Sequence, residues 1–382
     1  MRLLHLQKVT GIAGSERHLL DLLPGLAARG CEIRMVVLAA GQASRFLATA
    51  RERGIPVETI PAGPDVNPAI VAALARRIQR FTPDLVHTHL IHADLHGALA
   101  AALVRVPTVS SFHGTHPFFE RGPVRLAVGL ALRRARRVIA ISRWVREFLL
   151  ARGLARPEQV DVVHYGIRAE GWRATRADRE RARTALGIDP EECVVGAASR
   201  LVPHKGHDTL LRAAARLSDA VPLRVLVAGD GPLREPLQRL ASELGLDKRV
   251  RFMGFLGDVR PLLHACDVFC MPTSAAFGEG FGLAALEAQA ARLPVVASRT
   301  ASLPEVVAHD ETGLLVSPDS AEELAGALLV LARDPGLRAR LGEAAARRAT
   351  EAFGIEVMVN GTLAAYRRAL GDRCGSATSS PA

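Results

Sequence analysis

Short β-rich apolar runs alternate with helix-patterned stretches along nearly the whole chain, and no other feature constrains the fold as strongly. Such alternation is the sign of parallel βαβ units. In the first half the strands read 3–6, 32–38, 57–60, 85–88, 108–111, 138–141 and 160–163. Helical spacing fills residues 15–29, 69–81 and 94–104. Pro24 lies inside the first of these stretches and is expected to kink that helix or delay its start. The pattern restarts after the polar, Arg-rich stretch 173–183, with strands at 193–198, 223–228, 250–252, 268–271 and 295–298. Residues 206–217, 233–244, 282–291 and 322–333 read as the intervening helices. The expectation is an α/β chain of two Rossmann-like, doubly wound parallel-sheet domains, 1–170 and 171–354, with a cleft between the carboxyl ends of their sheets. A last helix, 355–370, is expected to pack back across the domain joint, and the Gly/Ser/Thr/Pro-rich residues 371–382 to be disordered.

Composition narrows the function classes. The 382 residues are 49% hydrophobic, enough to fill two cores, while aromatics are 4%, which argues against a base-stacking nucleic-acid platform. No apolar run approaches the roughly 18 residues of a membrane helix, and the start, Met1-Arg2-Leu3-Leu4-His5-Leu6, lacks the apolar core of a signal peptide. Five cysteines form no CxxC pair and fit a reducing cytoplasm better than a disulfide framework. The net charge of +10 is placed unevenly: Lys+Arg against Asp+Glu is 23 to 13 over residues 1–170 and 26 to 26 over 171–382. The first half is therefore expected to meet an anionic partner such as a phospholipid surface. Residues 123–137 combine alternating apolar residues with Arg125, Arg133, Arg134, Arg136 and Arg137, and read either as a basic amphipathic helix lying on a membrane or as a core helix with a solvated Arg end.

The most informative segment is Phe277-Gly278-Glu279-Gly280-Phe281-Gly282-Leu283-Ala284-Ala285-Leu286-Glu287. It follows a strand and opens a helix, so the amides of Leu283 and Ala284 become unpaired donors at a helix N-terminus, suited to a diphosphate. Glu279 and Glu287 bracket that helix start, and carboxylates so placed suit sugar or ribose hydroxyls. A second segment, Ser199-Arg200-Leu201-Val202-Pro203-His204-Lys205-Gly206, puts Arg200 and Lys205 at the carboxyl edge of the second sheet, where they can offset the charge of a diphosphate leaving group.

These segments, with Gly229-Asp230-Gly231-Pro232, Arg251-Phe252-Met253-Gly254-Phe255, Leu303-Pro304-Glu305-Val306 and Thr312-Gly313-Leu314-Leu315, resemble the family-four retaining glycosyltransferases in order and spacing. In the first half Gly14-Ser15-Glu16-Arg17-His18, Pro83-Asp84-Leu85-Val86-His87 and Phe112-His113-Gly114 are similar to the same family, so the resemblance spans about residues 1–370. It implies the GT-B fold, a nucleotide-diphosphate sugar donor held mainly by the second domain, and a glycan or lipid-linked acceptor held mainly by the first. It implies further that Arg200, Lys205 and Gly14 meet the diphosphate, Glu287 the ribose, Met253 and Gly254 the base, Glu279 the donor sugar, and His113 a sugar hydroxyl near the reacting carbon. Ile12-Ala13-Gly14-Ser15 departs from the family's paired glycines, and His164-Tyr165-Gly166 stands where Pro-Asn-Gly is usual.

No Asp-x-Asp occurs in the chain, so no metal cofactor is expected and cations and helix amides must stabilise the leaving group. A front-face route, in which the departing phosphate oxygen helps deprotonate the acceptor, fits these residues. His87, His89, His92 and His96 look like a metal cluster, but the zinc-protease pattern would need Glu where Ala93 stands, so a polar lining is preferred. A sugar-nucleotide epimerase or hydrolase on the same scaffold, turning over donor without acceptor, and a non-catalytic nucleotide-sugar-binding protein are the competing readings.

Overall fold

A computed structural model of the chain describes residues 1–41, 43–63, 67–114, 122–276 and 278–371. Phe277 of the Gly-rich segment, and residues 372–382 of the expected disordered tail, lie outside the described residues. The chain divides into two compact units, Met1–Gly166 with the chain from Ile355 onward, and Ile167–Gly354. The first boundary thus falls at 166/167 rather than 170/171, where Ile167 forms a bridge with Gly354.

The first unit alternates β1 (Arg2–Val9), α1 (Gly14–Ala27), β2 (Glu32–Ala39), α2 (Ala43–Glu52), β3 (Val57–Pro61), α3 (Pro68–Phe81), β4 (Leu85–His89), α4 (Ile91–Leu103), β5 (Thr108–Phe112), α5 (Gly122–Arg134), β6 (Arg137–Ala140), α6 (Arg143–Ala151) and β7 (Val160–Val162). All seven strands are parallel, in the order β3-β2-β1-β4-β5-β6-β7. Helices cover both faces, which explains why the strands read as nearly continuous apolar runs. Helix α1 starts at Gly14 and runs through Pro24, so the proline does not delay it. The stretch 123–137 is not one helix: α5 ends at Arg134, and Arg137 opens β6, pairing with Asp161 of β7 at 2.5 Å.

The second unit holds α7 (Arg176–Leu186), β8 (Cys193–Ala198), α8 (His207–Arg216), β9 (Leu223–Ala228), α9 (Arg234–Glu243), β10 (Val250–Gly254), α10 (Arg260–Ala265), β11 (Val268–Met271), α11 (Leu283–Ala290), β12 (Val295–Ser298), α12 (Leu303–Val306), β13 (Gly313–Val316), α13 (Ala321–Arg333) and α14 (Pro335–Glu351). Its sheet is also parallel, ordered β10-β9-β8-β11-β12-β13. The stretch read as merely polar is the helix α7, capped by Thr175; its buried Arg183 pairs with Asp267 at 3.2 Å. The final helix, α15 (Ile355–Leu370), belongs to the first unit, where Met358, Val359, Leu363 and Tyr366 join the core built by α1, β1 and β2.

Strand order reverses between β1 and β4 in one sheet and between β8 and β11 in the other. At such a switch point the loops beyond the strands' carboxyl ends part and leave a crevice for a ligand. The loop after β8 is the segment 199–206, and the chain after β11 leads into the segment 277–287, both singled out by their residue types.

Candidate active site

In the second unit, three glycines let the loops at this edge touch. Gly206 has φ +64, and a Cβ there would lie 1.8 Å from the Pro272 carbonyl oxygen. A Cβ on Gly229 would meet the Ser199 carbonyl oxygen at 1.8 Å. Gly282 takes φ +89 as the N-cap of α11, where a side chain is strained. The Ser274 amide donates to the His204 carbonyl at 3.0 Å, lacing the β8 loop to the β11 loop.

This lacing joins two residues 74 positions apart: Lys205 Nζ donates to Glu279 Oε2 in an ion pair whose side chains are only 12% and 19% exposed. The Glu279 carbonyl is fixed by the Ser302 hydroxyl at 2.7 Å. Lys205 and Glu279, read from sequence as separate contacts to phosphate and sugar, here neutralise each other. Arg200 stays exposed and makes no ion pair among the described residues. The first bonded amides of α11 are those of Ala285 and Leu286, both to the Gly282 carbonyl. The amides of Leu283 and Ala284 thus remain donors at the helix's positive end. Glu287 is buried just over one turn into α11. Met253 and Gly254 end β10, half-buried, with the Gly254 carbonyl accepting from the Gly229 amide at 2.8 Å. His207, passed over in the sequence, packs behind Lys205; burial first, then the lysine's charge, lowers its pKa to about 4. Its Nε2 lies 2.9 Å from Ser199 Oγ.

The first unit presents a different chemistry. Glu16, buried in the first turn of α1, accepts from the Ala13 amide at 2.9 Å and from Gln7 Nε2 at 2.5 Å. That pins the turn in which Gly14 lies, without the paired glycines usual in the family. At the ends of β4 and β5 the histidines line up. His5 Nδ1 is 3.1 Å from His89 Nε2, His89 Nδ1 is 3.1 Å from His113 Nε2, and His113 Nδ1 is 2.6 Å from the Tyr165 hydroxyl. Both ring nitrogens of His113 are therefore engaged, so the sugar hydroxyl that the resemblance implies would compete with Tyr165 for Nδ1. His18 stacks on Tyr165 with centroids 4.6 Å apart. Burial holds His5 and His113 down to a pKa of about 3, and holds His18, His87 and His89 well below the ordinary value, so all five are neutral imidazoles near pH 7.

Neutral imidazoles have one donor and one acceptor nitrogen each, so the chain has a direction. His5 Nε2 is buried with no hydrogen-bond partner among the described residues. An unused lone pair there costs less than an orphaned N–H. That choice makes His5, His89 and His113 donate in turn toward Tyr165, leaving the tyrosine's own proton to be given elsewhere.

The expected four-histidine cluster divides. His87 and His89 join His5, all with ring nitrogens within 4.8 Å of one another. His96 instead bonds the His92 carbonyl at 2.7 Å and accepts from the Asn67 amide at 3.2 Å. His87 is bonded to the Tyr366 hydroxyl at 2.6 Å and Ser111 Oγ at 2.8 Å, and His5 Nε2 is the ring nitrogen of the trio left without a partner among the described residues. His5 escaped notice because it lies inside an apolar strand run and signals nothing by itself.

Comparison with known proteins agrees with this architecture. The family model "Glycosyltransferase Family 4" matches residues 12–170 and "Glycosyl transferases group 1" matches residues 178–348. The D-inositol 3-phosphate glycosyltransferase of Mycobacterium marinum is 33% identical over 96% of this chain and 84% of that protein. Anabaena HepE in complex with UDP is 27% identical and superposes with a TM-score of 0.85, covering 96% of this chain and 99% of that one. The same protein in complex with UDP-glucose is 28% identical with a TM-score of 0.84, over 95% and 99%. Two parallel-sheet units, the ordered motifs and relatives matched over nearly the full length lead to one assignment: this chain belongs to the family-four glycosyltransferases, of the GT-B fold.

Proposed function

We propose that this glycosyltransferase moves a hexosyl group from a UDP-sugar to a lipid-linked saccharide, with retention at the anomeric carbon and without a metal cofactor. The observation that carries the reading is the Lys205–Glu279 pair beside the open Leu283 and Ala284 amides at the β8/β11 switch point. An arriving diphosphate meets the α11 N-terminus and Arg200, then competes with Glu279 for Lys205. Once Lys205 turns to the phosphate, the Glu279 carboxylate is released to accept from a sugar hydroxyl. Donor binding thus prepares the sugar's contact. As the glycosidic bond breaks, Arg200, Lys205 and the helix amides take up the leaving-group charge, while Glu287 serves the ribose, with Met253 and Gly254 at the base. The departing phosphate oxygen deprotonates the acceptor on the same face.

UDP as the donor nucleotide is supported by the likeness to HepE, whose structures hold UDP and UDP-glucose. The lipid-linked acceptor rests on the basic first half of the chain, at work on the cytoplasmic face of the membrane. A second acceptor reading, D-inositol 3-phosphate, has the named relatives in its favour.

A thermal-shift panel of UDP-, GDP- and ADP-sugars, followed by transfer assays with both acceptor classes, tests the reading. UDP-sugars are expected to raise the melting temperature most, and product NMR to show the donor's anomeric configuration. Donor consumed equally well without acceptor would reject transfer in favour of an epimerase or hydrolase. A glycosyl–Glu279 adduct trapped by mass spectrometry would replace the front-face route with double displacement.

A further inference from the structure

Away from the switch point, at the edge where the strands of the first sheet begin, lies a groove of about 1060 Å³. Arg105, Arg134, Arg136, Arg137 and Arg368 line it, against the single carboxylate of Asp84. Arg137 and Arg368 are both bound to Asp161, at 2.5 and 2.8 Å. Arg105, Arg134 and Arg136 are exposed and make no ion pair among the described residues. They fall at or just past the ends of α4 and α5 because helices of a parallel sheet run back to the strands' starting edge.

The same two helices carry an apolar ridge. Leu99 and Leu103 on α4, and Leu126 and Leu130 on α5, are 54%, 71%, 66% and 58% exposed. Spacing of four puts each pair on one helix face, and α4 packs beside α5. Four leucines in water beside three uncompensated guanidinium groups have a definite complement. A soluble polyanion would use the arginines and leave the leucines wet. A second copy of this chain would bring equally positive charge against them. An anionic bilayer satisfies both, with phosphates in the groove and leucines among the acyl chains.

We infer that the α4/α5 face of the first unit is a docking surface for anionic phospholipid, with the Arg105–Arg134–Arg136 groove as the headgroup site. The inference rests on the lipid-linked acceptor reading for its purpose, though its geometry stands alone.

The test is co-sedimentation of the full-length protein with phosphatidylcholine vesicles with and without phosphatidylglycerol, at low and high salt. Binding only to the phosphatidylglycerol vesicles, with release by salt, is expected. The triple variant Arg105→Ser/Arg134→Ser/Arg136→Ser and the double variant Leu126→Ser/Leu130→Ser should each lower partitioning by at least ~10-fold. All five positions are exposed, and unchanged melting temperatures would show both variants folded. Binding indifferent to phosphatidylglycerol, or undiminished in both variants, would overturn the inference. So would an unchanged leucine variant whose binding polyphosphate abolishes, or a dimer in sedimentation velocity that the leucine variant dissolves. Transfer to a soluble acceptor fragment should persist in both variants, so loss of docking and failure of the transferase reading are told apart.

Discussion

A charge pair of low exposure is worth little as a clamp, because the desolvation of both ions offsets most of their attraction. Lys205 and Glu279 make sense as a pair that another anion can part. Lys205→Met would leave Glu279 uncompensated where the diphosphate must come, so it should weaken UDP binding by more than the double variant Lys205→Met/Glu279→Gln. A coupling of about 1–3 kcal/mol is expected from the cycle measured by titration calorimetry; additive effects would mean that the two side chains do not compete. The histidine chain offers a second residue-scale prediction. His89 lies behind His113, and its two bonds set which nitrogen of His113 carries the proton. His89→Leu should lower kcat roughly 10-fold, with donor KM within about 2-fold, since one orienting hydrogen bond is worth about 1 kcal/mol or a little more. His89→Gln, able to donate and accept, should recover part of that loss; equal kcat in wild type and the leucine variant would remove the chain from the mechanism. None of these pairings was readable beforehand. Arg200, Lys205, Glu279 and Glu287 stood out by type and spacing, but the contact between Lys205 and Glu279 depends on Gly206 and Gly282 folding two distant loops together.

Among the elements, β1, β4, α1 and the residue after β5 carry the first unit's acid sensitivity. His5, His87, His89, His18 and His113 all have folded pKa values below the ordinary 6.5, with burial as the first cause. Unfolding exposes them to protonation, so their stabilisation is complete above about pH 6.5 and is lost as pH falls toward 3. Asp94, raised by burial to about 6 from 3.8, works in the opposite sense over the same window. It cancels about one histidine. His5 and His113 less Asp94 leave one net proton, roughly 1.4 kcal/mol per pH unit near pH 5, and His18, His87 and His89 act in the same direction. The second unit has one comparable group, His207, at about 4. The chain's two tryptophans, Trp144 and Trp172, fall one in each unit. Melts of Trp144→Phe and Trp172→Phe by fluorescence should show the first unit's transition falling further per pH unit than the second's; parallel shifts would refute it. Strands were the most legible elements: β8, β9, β11 and β12 match their sequence reading at both ends, because parallel strands buried on both faces stand out as apolar runs. Helices α7 and α14 were not, since Arg-rich surfaces blur the apolar stripe, and β13 opens on Gly313, a residue disfavoured in strands.

Across the whole molecule, the chain leaves the first unit at Gly166 and returns to it at Ile355, so the two units differ in what they need to fold. The second is continuous in sequence, and its core, from Val195 and Val225 to Leu328 and Leu341, draws only on its own residues. The first depends on α15: Met358, Val359 and Leu363 are buried against α1, and Tyr366 holds His87 from the far end of the sequence. Charge divides along similar lines, with the basic excess confined to residues 1–170. A fragment comprising residues 167–354 should therefore be soluble and melt cooperatively. If this unit alone holds the donor nucleotide, it should bind UDP within about 10-fold of the full chain, since it keeps Arg200, Lys205, Glu287 and the α11 amides. A fragment of residues 1–166 lacks α15, leaves the α1 face of its core in water, and should aggregate or bind hydrophobic dyes until a peptide of residues 355–371 is added. Calorimetry of the first fragment and dye binding of the second check both halves of the argument. A nucleotide affinity that disappears in the well-folded 167–354 fragment would assign an essential part of donor binding to the other unit, with the entry loop around Gly14 as the first place to look.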